Sequence, residues 1–79
     1  MPTEIDEPID VGVIFSCGKI KPIWFARSSR QIRIQKVTFH WKTRQGKEDL
    51  IHFSVTDGHN LYEIRFHTET MIWRLAHTE

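Results

Sequence analysis

The sequence is poor in the residues that build disulfides and cofactor sites. It has one cysteine, Cys17, so no disulfide can form within the chain and a cysteine-rich metal site is excluded. A lone cysteine suits a reducing cytoplasm, which is the predicted location. No apolar run is longer than a few residues, so the sequence predicts no membrane span. Its acidic, proline-containing start lacks the basic and apolar regions of a signal peptide.

Catalytic motifs are missing as well. The sequence contains no glycine-rich phosphate loop, no nucleophile elbow and no His-Glu zinc motif. Acidic residues are scarce after the first ten positions, and no paired-carboxylate site is visible. Local sequence places no histidine beside Cys17, so a Cys–His nucleophile is not indicated. We therefore expect a protein that is not an enzyme, with no catalytic residues and no cofactor.

Charges of opposite sign are segregated along the chain, although the formal net charge is only +1. Residues 1–10 contain four acidic side chains and no lysine or arginine. Residues 19–47 contain nine lysines and arginines and no acidic residue. Such patterning is more informative than the net charge, because it indicates a surface for an anionic partner.

Apolar residues alternate with a period of two from Ile9 onward, which indicates strands, and no stretch has a convincing helical period. The first eight residues, with two prolines, predict a flexible acidic arm, and residues 9–79 predict a single β-domain. We expect an all-β fold, an antiparallel meander of five to six strands curled into a small roll or SH3-like barrel. The first four predicted strands cover 9–16, 20–26, 31–42 and 50–56. The fifth has Tyr62, Ile64 and Phe66 facing inward, and the sixth has Met71, Trp73 and Leu75 facing inward.

In the longest predicted strand, 31–42, the apolar residues change from even to odd positions between Ile34 and Val37. One extra residue near Gln35 and Lys36 would explain the change as a β-bulge that bends the strand. A long bent strand can then serve both halves of a small barrel. Pro22, near the start of the second strand, indicates that the edge of the sheet lies there.

Three turns predict how the later strands align. We place Gly58-His59 and Thr68-Glu69 at the centres of two-residue turns and Gly46 in the middle of a three-residue loop. These turns predict apolar cross-strand pairs on one shared face. The predicted pairs are Val55–Tyr62, Phe53–Ile64 and Ile51–Phe66, then Phe66–Met71, Ile64–Trp73 and Tyr62–Leu75, and finally Trp41–Ile51 and Phe39–Phe53.

The same register places His40 opposite His52 on the outer face, where two imidazoles could hold a metal ion. A structural zinc site needs four ligands and a catalytic one usually three, and Arg65 is predicted beside His52. We therefore expect no metal site. Glu63 is predicted to pair with Arg74 across two strands.

One basic segment with interleaved aromatic residues is the candidate binding surface. Its lysines and arginines can neutralise phosphates, and an exposed aromatic ring can stack on a base. Trp24 and Phe25 are adjacent, so at most one of them faces the core of a regular strand. We predict binding of single-stranded nucleic acid or of an acidic protein. The candidate residues are Trp24, Arg27, Arg30, Arg33, Lys36, Lys42 and Arg44.

Two other interpretations are compatible with the same residues. The basic side chains can form a solvated face that keeps the protein soluble, balanced by the acidic arm. Alternatively, the chain is a protein-interaction domain in which an exposed edge strand, the first or the second, accepts a strand from a partner.

The order of core and turn residues resembles a small bacterial domain of unknown function. The matching residues, between Val11 and His77, are Gly18, Pro22, Phe25, Arg27, Val37, Trp41, Phe53-x-Val55, Asp57-Gly58, Tyr62-x-Ile64 and Trp73-x-Leu75. Domains of that family occur alone or behind proteins that resemble Y-family DNA polymerases. The resemblance implies a non-enzymatic accessory module that works near DNA.

Overall fold

Seven antiparallel strands make up a single curled sheet in the computed structural model, which describes residues 3–78. The strands are β1 (Thr3–Ser16), β2 (Lys19–Arg27), β3 (Arg30–Arg33), β4 (Lys36–Gln45), β5 (Glu48–Thr56), β6 (Leu61–His67) and β7 (Ile72–Thr78). Their order in the sheet is β3-β2-β1-β7-β6-β5-β4, and the sheet curls into a half-barrel. The predicted all-β antiparallel fold is confirmed, with seven strands rather than five or six.

The first strand begins earlier than predicted. Residues 1–8 are predicted to form a flexible arm, whereas β1 starts at Thr3. Its first half pairs with β7, where Pro8 faces Arg74 and Ile9 faces Trp73, and the register shifts between Glu4 and Glu7. Asp6, in that irregular stretch, has a φ of 60°. Proline and acidic residues are compatible with this strand because only one of its edges is paired there. Met1 and Pro2, also assigned to the arm, lie outside the described residues.

The predicted long strand is two strands on opposite edges of the sheet. Among the strands of residues 3–78, β3 pairs only with β2 and β4 pairs only with β5. The two residues between them join the edges, because the Ile34 amide donates to the Ile23 carbonyl at 3.0 Å and the Gln35 amide donates to the Thr56 carbonyl at 2.8 Å. The change from even to odd apolar positions near Gln35 therefore marks the place where the chain crosses from one edge to the other. The bulge predicted near Gln35 and Lys36 lies farther along β4, between Val37 and Phe39.

The core occupies the inner face of the half-barrel near this crossing. Phe25, Val55, Ile64 and Leu75 are completely buried, and the Phe25 and Tyr62 rings meet edge to face with centroids 5.1 Å apart. Burying such side chains stabilises the fold by about 1.5–3 kcal/mol each. We call this part of the molecule, where Ile34 and Gln35 join the two edges, the closed end.

The register predicted from Gly58-His59 is confirmed, and the one predicted from Thr68-Glu69 is wrong by two residues. Ile64 faces Leu75 and Phe66 faces Trp73, because the connection is the four-residue loop 68–71. A shift of two keeps the faces unchanged, so the predicted inward residues of β7 are inside, whereas Met71 is 68% exposed. The Glu48 carboxylate stabilises the longer loop by accepting the Glu69 and Thr70 amides at 3.1 and 3.4 Å.

Candidate binding cleft

A cleft opens between the first half of β2 and the edge strand β4. It exists because β3 has only four residues and pairs with Trp24–Arg27, so no strand of the described chain covers the outer edge of β2 over residues 19–22. Pro22 lies in this stretch, which agrees with the prediction that the edge of the sheet lies near Pro22. From the crossing at Gln35 the two edges diverge, and they leave an open seam in the half-barrel.

The floor of the cleft is apolar. It is formed by Ile20 of β2, Val37 of β4, and Ile51 and Phe53 of β5. Two adjoining cavities share Ile20 and Phe53 and have volumes of about 640 and 450 Å³. Phe15 pairs with Ile20, lies on the same face beside this floor and is 70% exposed. Apolar side chains therefore remain available for a ligand.

The walls of the cleft are basic. Lys19 and Lys21 contribute from β2, and Lys36 and Lys42 contribute from β4. His40 lies between the lysines of β4 and lines both cavities. No aspartate or glutamate is among the described residues that line the two cavities. One sign of charge around a low-dielectric floor concentrates a positive potential in the cleft, which favours an anionic ligand.

A short turn explains why His40 and Lys42 line the cleft. Gly46 and Lys47 form a two-residue turn between the paired residues Gln45 and Glu48, and Gly46 has the positive φ of 62° that favours glycine. The predicted three-residue loop is therefore wrong, and the register differs by one residue. A shift of one residue moves every side chain to the other face.

His40 consequently faces Phe53, with ring centroids 6.3 Å apart, and Lys42 faces Ile51. Both had been predicted on the outer face. The predicted inward residues Phe39 and Trp41 lie on the outer face instead, where Phe39 is 64% exposed.

The outer face of β4 is attached to the sheet through His52. Trp41 stacks on this imidazole with centroids 5.0 Å apart and an interplanar angle of 2°, and the Thr43 Oγ1 lies 2.7 Å from its Nε2. His52 is only 6% exposed. Burial lowers the pKa of His52, and the nearby Arg65 guanidinium lowers it further. The imidazole under Trp41 is therefore held neutral at neutral pH.

The predicted facing pair of His40 and His52 does not form, because the two residues lie on opposite faces of the sheet. His52 instead belongs to a polar cluster around Glu63. One carboxylate oxygen of Glu63 lies 3.6 Å from His52 Nδ1, 3.7 Å from Arg65 and 3.9 Å from His77. The predicted pair of Glu63 with Arg74 is also absent, since Arg74 lies 3.4 Å from the Asp6 carboxylate.

The seven predicted binding residues are spread over both edges of the sheet. Lys36 and Lys42 line the cleft. Arg30 and Arg33 are exposed on β3, and Arg44 is exposed on β4, opposite Asp49.

Arg27 and Trp24 have structural contacts. The Arg27 side chain forms an ion pair with Glu7. Trp24 covers Gly12 so closely that a Cβ atom there would overlap the indole. Phe25 takes the core position, as the adjacency of the two aromatic residues required.

Sequence reasoning missed Lys19, Lys21 and His40 as cleft residues. The two lysines were visible within the basic segment, but their relation to β4 depends on how the sheet curls. Cys17 also lines the cleft, in the turn between β1 and β2, and is exposed. Within residues 3–78, its recorded hydrogen bond is with the adjacent Ser16 hydroxyl at 3.9 Å. The same residues contain no group of three or more histidine, cysteine or acidic side chains placed to hold a metal ion.

Comparisons with known proteins give no relative. No protein-family model, no curated protein and no solved structure matches the chain. The resemblance to the bacterial domain therefore stays a prediction. No helix in the described part of the chain is long and apolar enough to cross a membrane.

Proposed function

We propose that the chain is a non-enzymatic binding module that holds an extended anionic chain in the cleft between β2 and β4. One observation carries the proposal: four lysines surround an apolar floor, and no acidic side chain is among the described residues lining the cavities. A catalytic role would need a nucleophile hydrogen-bonded to a group that can accept its proton, and within residues 3–78 the hydrogen bond of Cys17 is with the Ser16 hydroxyl.

Two kinds of polymer have the required chemistry. Single-stranded nucleic acid offers phosphates to the lysines and bases to apolar or aromatic surfaces such as Phe15. An acidic peptide offers carboxylates to the same lysines and apolar side chains to the floor. In both, charge brings the ligand to the cleft and apolar contacts retain it. Cytoplasmic location and an accessory role near DNA remain predictions alongside this proposal.

An amide-resolved NMR titration tests the proposal. The labelled protein is titrated with a mixed single-stranded oligonucleotide and, separately, with polyglutamate, at low and at moderate salt. Chemical-shift changes should concentrate on residues 19–21 and 36–42 and should become smaller as the salt concentration rises. Binding releases cations from the polyanion, and this release is less favourable at higher salt.

Matched charge reversals sharpen the test. Lys19→Glu and Lys42→Glu should each weaken binding at least tenfold at low salt. Lys47→Glu makes the same change in an exposed turn outside the cleft and should have a much smaller effect. The proposal is wrong if neither polyanion shifts the cleft residues at low salt, or if all three variants weaken binding equally.

A further inference from the structure

The edge of β4 suggests which polymer the cleft accepts. β4 is the last strand of the sheet and is ten residues long, and it pairs only with β5, so its other edge has no partner strand in the described chain. Backbone amides and carbonyls on such an edge are a template for another strand. An acidic peptide can pair with them, whereas the phosphate backbone of a nucleic acid supplies no amide donors.

We propose that the ligand is an extended acidic segment of a partner protein, which adds to the edge of β4 as an eighth strand. This inference rests on the proposed function, since it names the ligand of the same cleft. Alternate side chains of the added strand would face the apolar floor at Val37 and Phe53. Its acidic side chains would approach the lysines of the cleft, and oppositely charged cross-strand pairs contribute about 0.2–1 kcal/mol each.

Charge complementarity excludes a second copy of β4 as the occupant. β4 contains Lys36, Lys42 and Arg44 and no acidic residue. Antiparallel pairing of two such strands would place cations close together, which is destabilising. The acidic segment of this chain does not fill the cleft either, because residues 3–10 belong to β1 and pair elsewhere in the sheet.

The topology sets the direction of the added strand. Because neighbouring strands alternate in direction around the sheet, β2 runs toward the closed end and β4 runs away from it. One inserted strand can therefore be antiparallel to only one of them. The edge of β4 is the longer free edge, so the added strand should run antiparallel to β4, with its carboxyl end at the closed end.

A backbone-modified peptide tests strand addition directly. The probe is a blocked nine-residue peptide that alternates glutamate and valine, and the control has the same sequence with alternate peptide nitrogens methylated. N-methylation removes the amide donors and leaves every charge in place. The unmodified peptide should shift the amides of β4 and slow their hydrogen exchange, and the methylated peptide should bind at least tenfold more weakly.

Three outcomes separate this inference from the proposed function. Equal binding by the two peptides would show that side-chain contacts hold the ligand without backbone pairing, and strand addition would be wrong. Binding of a single-stranded oligonucleotide without binding of the unmodified peptide would also overturn the inference, but the polyanion-binding function would stand. If neither ligand shifts the cleft residues at low salt, both proposals fail.

Discussion

The half-barrel has a closed end and an opposite, open end, which contains the cleft between β2 and β4, and the two ends differ in how completely their apolar side chains are buried. At the closed end, Phe25 of β2 is completely buried against Tyr62. At the open end, Phe15 of β1 is 70% exposed beside the cleft. The difference arises because β3 covers only the last part of β2. A short strand thus leaves apolar surface available for a ligand.

This contrast separates the residues that stabilise the fold from those that line the cleft. A core side chain at the closed end has neighbours on all sides, so its removal leaves a cavity. A side chain at the open end already contacts solvent, so its removal costs little. The following variants test this separation, from the largest expected effect to the smallest.

Phe25→Ala should lower the free energy of unfolding by about 3–5 kcal/mol, because it leaves a cavity against Tyr62. Urea denaturation measures the change. Since small domains have only about 5–15 kcal/mol of stability, Phe25→Leu provides a milder variant that should still fold. A loss below about 1 kcal/mol for the alanine variant would show that the closed end is not the stabilising core.

Gly12→Ala should cost about 1–3 kcal/mol, because the added Cβ would overlap the Trp24 indole near the junction of the two ends. Tryptophan fluorescence should report the displaced ring, and urea denaturation the stability. In the double variant with Trp24→Ala, the two changes should cost less than the sum of the single changes. Simple additivity would contradict the close contact.

Lowering the pH should weaken attachment of β4, the outer wall of the cleft. Burial lowers the pKa of His52, and Arg65 lowers it further, so the folded state favours the neutral imidazole. The stability from neutral His52 is present above the ordinary histidine pKa and is lost as pH falls through the folded-state pKa. Urea denaturation and hydrogen exchange of β4 amides, measured against pH, should show this loss.

The control for His52 is the exposed His59, in the turn between β5 and β6. His52→Gln should flatten the pH dependence between the unfolded and folded histidine pKa values, and His59→Gln should leave it unchanged. An unchanged profile in His52→Gln would mean that another group causes the pH dependence.

Acid should also weaken the loop at the closed end, at lower pH. Hydrogen bonds from the Asn60 and His59 amides lower the pKa of the Asp57 carboxyl. Its contribution to stability is present above the ordinary aspartate pKa and is lost as pH falls through the folded-state pKa. Asp57→Asn should flatten this loss of stability at acid pH in denaturation curves, while Asp49→Asn, which changes an exposed carboxylate of β5, should leave most of it. Equal flattening by both would refute the assignment to Asp57.

Phe15→Ala should change stability by less than about 0.5 kcal/mol, because the ring is mostly exposed. In the titrations proposed above, the same variant should weaken ligand binding severalfold if the ring contacts the ligand. Unchanged binding would restrict the ligand to the β4 side of the cleft. A large loss of stability would contradict the contrast between the two ends.

Local sequence was a good guide where one short turn connects two alternating strands. Asp57 and Gly58 marked the turn between β5 and β6, and the predicted facing of Val55 and Tyr62 is confirmed. It was a poor guide where the loop length depends on distant contacts. Glu48 holds the loop 68–71 from another part of the chain, so nothing within that loop revealed its length.

The candidate site was predicted only in part. The basic segment pointed to Lys36 and Lys42, but the one-residue error at Gly46 placed Lys42 and His40 on the wrong face. Alternation alone could not correct this error, because Val37, Phe39 and Trp41 share one parity in the sequence, whereas the bulge after Val37 leaves Val37 on the inner face and puts the two aromatic residues on the outer face. The buried His52 provides Trp41 with a stacking partner on the outer face of the sheet.

By itself, the sequence determined the fold class, most strand positions and the segregation of charge, because alternation and turn residues act between near neighbours in the chain. Only the tertiary structure decided that β3 and β4 lie on opposite edges of one sheet and that Lys19 and Lys21 line the same cleft as Lys36 and Lys42. Those relations depend on the curl of the whole sheet and on a register set by one residue at Gly46. A period-two pattern cannot specify either, since it records which residues share a face and not which strand lies across from them.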